Sequence, residues 1–102
     1  MSAKPRNQFA RVLRAARQAK GVSQEGFGDV SGRTYVSQLE RGERNATLAK
    51  IDDLASVLGV HPASLVVSAY LPPAMGQAAV DTLLARIRRE LLSLAQPGRR
   101  GG

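Results

Sequence analysis

Residues 23–42, with the sequence SQEGFGDVSGRTYVSQLERG, decide the fold of this chain. They begin with Ser23-Gln24-Glu25, which is typical of a helix start because a serine side chain caps the first turn and an acidic residue suits its positive end. We therefore expect a short helix here, whose apolar side chains are Phe27 and Val30. Two glycines weaken such a helix, and their presence predicts the close approach of another backbone: Gly26 and Gly28.

A further helix is predicted over residues 33–41, between a Ser-Gly break and a closing glycine. Its apolar residues, Val36 and Leu39, would face the core, with Glu40 beside them on the helical wheel. The opposite side carries hydrogen-bonding side chains, namely Thr34, Gln38 and Arg41. Side chains at positions i, i+4 and i+7 of a helix in the major groove of B-DNA reach base edges. Two short helices, a tight turn and this outer face form a helix-turn-helix arrangement.

Helical spacing of apolar residues predicts three more helices in the same domain. One covers residues 7–20, the next is capped by Thr47 and ends at Gly59, and the last begins at His61-Pro62, because proline is favoured at the first helical position. His61 is expected to cap that helix or to lie at the surface. The side chains expected to be buried are, in chain order, Phe9, Val12, Leu13, Ala16, Leu48, Ile51, Leu54, Ala55, Leu58, Leu65, Val66 and Ala69.

The domain that these helices form covers residues 6–70, and three segments are predicted beyond it. Residues 71–76 form a joint, because two prolines remove hydrogen-bond donors and restrict the residues before them. Residues 77–95 form an amphipathic C-terminal helix, and residues 96–102, rich in glycine and arginine, should be disordered. The sequence contains no strand pattern and no internal repeat, so the predicted fold class is all-α.

The composition argues against several classes of protein. A length of 102 residues suffices for one compact domain and an accessory element, not for a multidomain enzyme. With no cysteine, one histidine and scattered carboxylates, we expect no disulfide, no metal, no cofactor and no enzymatic activity. No apolar stretch approaches the roughly 20 residues that span a bilayer, and the N-terminus lacks an apolar signal core. We therefore expect a cytoplasmic protein that does not contact a membrane.

The charge indicates a polyanionic partner, with nucleic acid foremost. Fifteen basic against eight acidic residues give a net charge of +7, and the first 22 residues carry six basic residues and no acidic one. On the helix over residues 7–20, the side chains opposite the apolar face would meet solvent or phosphate: Arg11, Arg14 and Gln18. The alternative is a basic surface that serves solubility alone.

Three pieces of the chain together closely resemble the Cro/cI-type, or XRE, helix-turn-helix family. They are SQE at residues 23–25, RTYVSQLERGERN at residues 33–45 and LASVLGV at residues 54–60. The Arg-Thr-Tyr run is also similar to restriction-modification controller proteins. The resemblance implies a five-helix lambda-repressor-like domain followed by the additional helix. Because the chain is shorter than is usual in the family between Gln24 and Tyr35, the first helix of the motif or the turn should be tighter than typical.

The resemblance also implies which residues bind DNA. By position, Gln24 starts the first helix of the motif and bonds a phosphate or a flanking base, and Arg33, Thr34 and Gln38 read bases. Arginine suits guanine and glutamine suits adenine. The following turn contacts the DNA backbone, and Tyr35 either meets a phosphate or packs on the core. The complete predicted set is Gln24, Arg33, Thr34, Tyr35, Ser37, Gln38, Arg41, Arg44 and Asn45, while Arg17 and Glu40 match an internal salt bridge of similar proteins.

The C-terminal helix is predicted to serve dimerisation through one apolar stripe: Val80, Leu83, Leu84, Ile87, Leu91 and Leu94. The stripe packs either on its own domain or on a second copy, and the second is favoured because such domains bind paired half-sites about 34 Å apart. We expect a homodimeric repressor on a near-palindromic operator, without a small-molecule effector. The alternatives are an antitoxin-type protein whose last helix binds a different protein, or an adaptor that touches no DNA. Three further arginines should form a solvated face: Arg86, Arg88 and Arg89.

Overall fold

The computed structural model of this protein describes residues 8–28, 31–72 and 76–95. Within these residues the chain forms five α-helices, one 3₁₀ helix and no strand, so the predicted all-α class is confirmed. The elements are α1 (Phe9–Ala19), the 3₁₀ helix (Gln24–Phe27), α2 (Arg33–Glu40), α3 (Leu48–Leu58), α4 (Pro62–Ala69) and α5 (Gln77–Ala95). The chain divides into two compact units between Pro72 and Pro73; α1 to α4 belong to the first unit and α5 to the second.

One apolar core holds the first unit together. The 3₁₀ helix contributes Phe27 and α2 contributes Val36 and Leu39, so both halves of the helix-turn-helix segment are fixed to the same core. Each such buried side chain contributes roughly 1.5–3 kcal/mol relative to exposure. Among residues 8–28, 31–72 and 76–95, the buried apolar residues are Val12, Leu13, Phe27, Val36, Leu39, Ile51, Leu54, Ala55, Leu58, Leu65 and Ala69.

Two helices begin at the caps that the sequence predicts. The Thr47 hydroxyl accepts from the backbone N–H of Lys50 at 3.1 Å, at the start of α3. The His61 Nδ1 atom accepts from the N–H of Ala63 at 3.0 Å, and Pro62 is the first residue of α4. These bonds satisfy N–H groups that have no partner inside their own helices, and the capping role expected of His61 is confirmed.

The predicted burial of Leu48 is wrong, because 77% of this residue is exposed. It is the first residue of α3, and side chains of a helix lean toward its N-terminus. The side chain therefore projects past the end of α3, although it falls on the apolar stripe by spacing.

The short helix expected after Ser23 is a single 3₁₀ helix, which is narrower and more tightly wound than an α-helix. This agrees with the shortened spacing in the sequence. The expected close backbone approach is wrong: a Cβ atom on Gly26 would lie 2.7 Å from the Val22 Cγ1 atom, which belongs to a side chain. A Cβ atom on Gly28 would meet no atom of the described residues within 4 Å, but this glycine adopts a φ of +53°, which favours glycine. Val30 and the tail over residues 96–102 lie outside the described residues.

None of the described helices is by itself long and apolar enough to cross a membrane. Helices α3 and α4 meet those limits only when they are taken together, and the chain bends by 108° between them.

Candidate nucleic-acid interface

Helix α2 has an inner face fixed to the core and an outer face turned to solvent. Val36 and Leu39 are 0% and 1% exposed on the inner face. On the outer face, Arg33 and Thr34 are exposed and Gln38 is half-buried. A helix of eight residues is about 12 Å long, which suits the width of the DNA major groove. The three side chains that the resemblance assigns to base reading thus lie along the outer side of a short, anchored helix.

The chain reverses at the end of α2 and brings the next residues back beside it. Gly42, with a φ of +74°, donates its N–H to the Leu39 carbonyl at 3.1 Å, and the N–H of Glu43 donates to the Gln38 carbonyl at 2.9 Å. This pair of bonds is the Schellman motif, in which a left-handed residue closes the helix. The reversal places Arg44 so that its Nε donates to Oε1 of Gln38 at 2.7 Å.

A polar network lies behind α2 and fixes its C-terminal end. Arg17 donates from Nε and Nη2 to the two carboxylate oxygens of Glu40, at 2.6 and 3.0 Å. Its Nη1 donates to the carbonyl of Val22 at 3.0 Å, just after α1. Gln24 adds a bond from Nε2 to Oε1 of Glu40 at 3.1 Å. One carboxylate therefore ties α1, the 3₁₀ helix and α2 together.

The same network sets the charge state of Glu40. Burial raises the pKa of this carboxyl, but hydrogen bonds from Arg17 and Gln24 and the positive charge of Arg17 outweigh burial, and the pKa lies below its ordinary value. The hydrogen bond to Glu40 likewise raises the pKa of Arg17. The pair therefore stays ionised at neutral pH, because each charge is compensated by the other and by further hydrogen bonds.

Two arginines on the outer side of α2 form ion pairs with acidic neighbours. Arg41 donates to both carboxylate oxygens of Glu43, at 2.8 and 3.0 Å, and also to the Ser37 hydroxyl. Arg33 lies 3.8 Å from the carboxylate of Glu25, with both side chains about two-thirds exposed. Such exposed pairs contribute little and exchange readily for other anions, so these guanidinium groups remain available to phosphates or bases.

Tyr35 packs half-buried against the core and has two cations over its ring. The Arg44 Cζ atom lies 5.6 Å from the ring centroid, and the Lys50 Nζ atom lies 5.4 Å from it. These distances allow cation–π attraction. Of the two roles left open by the sequence, packing is the one that this geometry displays.

A shallow groove of about 520 Å³ runs between α1 and the end of α2 and is rich in basic side chains. Arg11, Arg14 and Gln18, which the sequence placed opposite the apolar face of α1, line it together with Arg41. Within the described part of the chain, no three metal-binding side chains come together. The groove and the outer face of α2 thus offer donors to an anion.

The structure brings most of the predicted DNA-binding residues onto α2 and the turn after it. Asn45 is exposed in that turn. Gln24 is the exception, since its amide N–H₂ group points inward to Glu40. Sequence reasoning missed Lys50 and Glu43, which adjoin Tyr35 and Arg41. Neither residue belongs to an apolar pattern; Glu43 stands two residues after Arg41, so its charge and short spacing were the signal that could have identified the pair.

Comparison with known proteins agrees with this architecture. The Helix-turn-helix family model (HTH_3) matches residues 13–65, slightly more than half of the chain. The chain is 43% identical over 60 residues to an uncharacterised HTH-type transcriptional regulator, y4dJ of Sinorhizobium fredii, covering 57% of this chain and 73% of that protein. It is 39% identical over 61 residues to the control protein C.BamHI of Bacillus amyloliquefaciens, covering 57% and 75%, respectively.

A third relative is the control protein C.SmaI of Serratia marcescens, which is 40% identical over 52 residues, or 49% of this chain and 62% of that protein. The region that the family model matches, residues 13–65, carries most of the core, the Glu40 network and the outer face of α2. On these grounds the chain belongs to the helix-turn-helix family of XRE type, whose members are DNA-binding transcription regulators and not enzymes.

Proposed function

We propose that this protein is a homodimeric repressor that reads a near-palindromic operator with α2 in the major groove of each half-site. The observation that carries the proposal is the division of α2 into a buried inner face and a polar outer face. A helix inserted into the groove needs this division, because it must be fixed to its own domain while it offers donors to base edges.

Arg33, Thr34 and Gln38 are the proposed base-reading residues. Arg33 stands at the start of α2 with 65% of its side chain exposed, which leaves its guanidinium free to form a bidentate pair with guanine. Gln38 lies five residues further along, which is about 1.4 turns of the helix. Its Oε1 accepts from Arg44, so the orientation of its amide is set before DNA arrives. Pre-set donors bind at a lower cost in side-chain entropy than freely rotating ones.

Arg41, Arg44 and Asn45 are the proposed contacts to the DNA backbone, with Ser37 beside them. They lie at the end of α2 and in the turn that follows, where phosphates flank a helix seated in the groove. The net charge of +7 adds long-range attraction to the duplex. For Gln24, the inward bond to Glu40 favours a role in holding the motif over direct contact with a base.

The proposal of a dimer rests on α5, whose apolar residues Leu84, Leu91 and Leu94 are 45%, 59% and 73% exposed. A second copy that covers this stripe would recover roughly 1.5–3 kcal/mol for each side chain that becomes fully buried. A two-fold dimer also presents two recognition helices to two related half-sites. The similarity to C.BamHI and C.SmaI, both named control proteins, supports a role in regulation.

The deciding experiment selects bound sequences from random DNA with the full-length protein and reads their symmetry. We expect two inverted half-sites whose centres lie about one helical turn, or a multiple of it, apart. Binding to the selected site should fall steeply as salt increases, because phosphate contacts release counterions. Recovery of no preferred sequence, together with weak dependence on salt, would instead favour an adaptor or an antitoxin-type protein with a different partner for α5.

A further inference from the structure

The apolar stripe of α5 follows the spacing of a coiled coil. Five of its six residues, Val80, Leu84, Ile87, Leu91 and Leu94, succeed one another at alternating intervals of four and three residues, which is the pattern of the a and d positions of heptads. The sixth, Leu83, lies beside this seam. No residue of α5 is buried within the described chain. This spacing suits a partner that is itself a helix.

The two flanks of the stripe differ in their charges. On the 100°-per-residue wheel, one flank carries Asp81 and Arg88 and the other carries Leu83 and Glu90. Glu90 pairs with Arg86 of the same helix at 3.0 Å. In the described part of the chain, Asp81 and Arg88 form no ion pair, so one flank holds two opposite charges seven residues apart without a partner.

We propose that α5 pairs with α5 of a second copy in antiparallel orientation, with Asp81 of each chain opposite Arg88 of the partner subunit. In an antiparallel pair, each flank of one helix meets the same flank of the other. In a parallel pair, each flank meets the opposite flank, and Arg88 would then face Leu83 of the partner subunit. Charges beside an apolar seam set helix orientation in this way, and only the antiparallel arrangement pairs the two free charges.

The charges also favour one alignment of the two antiparallel helices over alignments shifted by a heptad. Placing Leu84 opposite Ile87 of the partner subunit sets Val80 opposite the partner's Leu91 and forms the Asp81–Arg88 pair twice by symmetry. Sliding the helices by one heptad would instead bring Arg88 against its own copy in one direction and Asp81 against its own copy in the other, and like charges repel. The favoured register also overlaps α5 along nearly its whole length, whereas the shifted ones leave its first or its last turns unpaired.

This arrangement sets the separation of the two N-terminal ends of α5. Gln77 of one chain lies opposite Leu94 of the partner subunit, so the two Gln77 residues are about 26 Å apart along the axis, at about 1.5 Å per residue. A parallel pair would hold them about 10 Å apart. The larger value is closer to the roughly 34 Å between half-sites on one face of DNA.

Charge reversal in the full-length protein tests the pairing. Asp81→Arg and Arg88→Asp, each alone, should raise the dimer dissociation constant about tenfold or more, because two attractions become two repulsions. The double variant should restore dimerisation to near the wild-type level. Arg89→Asp makes the same change of charge on the side of α5 opposite the stripe and should leave the constant unchanged. Sedimentation equilibrium measures all four variants.

A distance measurement tests the orientation independently of charge. The chain has no cysteine, so Gln77→Cys gives a single site for a spin label in each copy. A distance between labels of roughly 25–35 Å supports the antiparallel pair, and a distance near 10–15 Å overturns it in favour of a parallel one. The antiparallel pair would also be overturned if the single charge reversals left the dissociation constant unchanged, or if the double variant did not recover dimerisation.

The antiparallel arrangement rests on the proposed homodimer. The experimental outcomes distinguish a failure of the arrangement from a failure of the homodimer. A chain that stays monomeric at tens of micromolar would remove both the dimer and this arrangement. A dimer with a short label distance would remove only the arrangement and leave the operator-binding dimer standing. An antiparallel dimer that selects no DNA sequence would support the arrangement and overturn the proposed reading of an operator.

Discussion

Arg17 and Glu40 join α1 to α2 through two hydrogen bonds, with the Arg17 side chain 13% exposed and the Glu40 side chain 4% exposed. Both charges are thus largely removed from water, and each is neutralised by the other. Removal of one partner leaves the other as a buried charge without compensation, which costs far more than the pair itself contributes.

Arg17→Ala and Glu40→Ala should each lower the free energy of unfolding by about 3–5 kcal/mol. Arg86→Ala is the matched control, because it removes an arginine from an exposed pair with Glu90. That change should cost less than about 0.5 kcal/mol. Urea denaturation followed by circular dichroism measures all three. Equal midpoints for Arg17→Ala and the wild type would contradict the structural role of this pair.

The pKa of Glu40 lies below its ordinary value of about 4.5, so its pairing stabilises the folded protein most above that pH. This contribution is lost as the pH falls through the lower pKa of the folded state. Glu40→Gln lacks the titrating group, and the difference in unfolding free energy between wild type and this variant should therefore narrow below about pH 4.5. Denaturation series at pH 7, 5, 4 and 3 check this. A constant difference would show that the carboxylate charge contributes nothing to the pair.

If α2 reads bases, substitutions on its outer face should lower the affinity for the operator and not the affinity for random DNA. Arg33→Ala or Gln38→Ala should weaken binding to the selected operator by about 1–3 kcal/mol and leave binding to random DNA nearly unchanged. Fluorescence anisotropy at fixed salt measures both affinities for each variant. Equal losses on the two DNAs would assign these side chains to the phosphates instead.

Arg44 should behave differently, since it lies in the turn after α2 and is proposed to contact phosphate. Arg44→Ala should weaken binding to operator and to random DNA alike, and the slope of log affinity against log salt should become shallower by about one. Arg89→Ala removes the same charge from α5 and serves as the control. An unchanged slope in Arg44→Ala would indicate that Arg44 acts only by orienting Gln38, to which it donates.

Deletion of residues 76–102 should give a folded monomer that binds one half-site weakly. In the part of the chain that the structure describes, every buried apolar residue lies between Val12 and Ala69, so the deletion takes no described residue from the core. Sedimentation shows the association state, and circular dichroism shows whether the helices remain. A truncated chain that still dimerises would place the dimer contact in the first unit.

The sequence predicts the all-α architecture well because helical periodicity is strong and several helix ends have their own local signal, although Ser23 makes no capping hydrogen bond. Thr47 and His61 are capping residues whose hydrogen bonds form within three residues of the chain. Leu48 shows where periodicity fails. A helical wheel has no ends, so it cannot indicate that a first-turn side chain extends beyond the core.

The sequence predicts which residues lie on the outer face of α2. It does not predict the hydrogen bonds that hold α2 to the neighbouring elements. The positions of Arg33, Thr34 and Gln38 follow from helical spacing and from the resemblance to a family. The bond from Gln24 to Glu40 joins residues 16 apart, and it depends on how closely the 3₁₀ helix approaches α2. Such a distance is fixed by packing of Phe27 and Leu39 in the core, which single-residue patterns do not encode.

One set of residues holds α2 to the domain. A different set carries the side chains that face away from the domain. Glu40 is held from behind, and Val36 and Leu39 fill the core, while the side chains at positions 33 and 38 form only exposed contacts, with Glu25 and Arg44, and position 34 is exposed. The scaffold and the reading surface can therefore be varied separately. A library randomised at those three positions should retain the fold in most members, which makes this short helix a suitable starting point for engineering regulators with new operators.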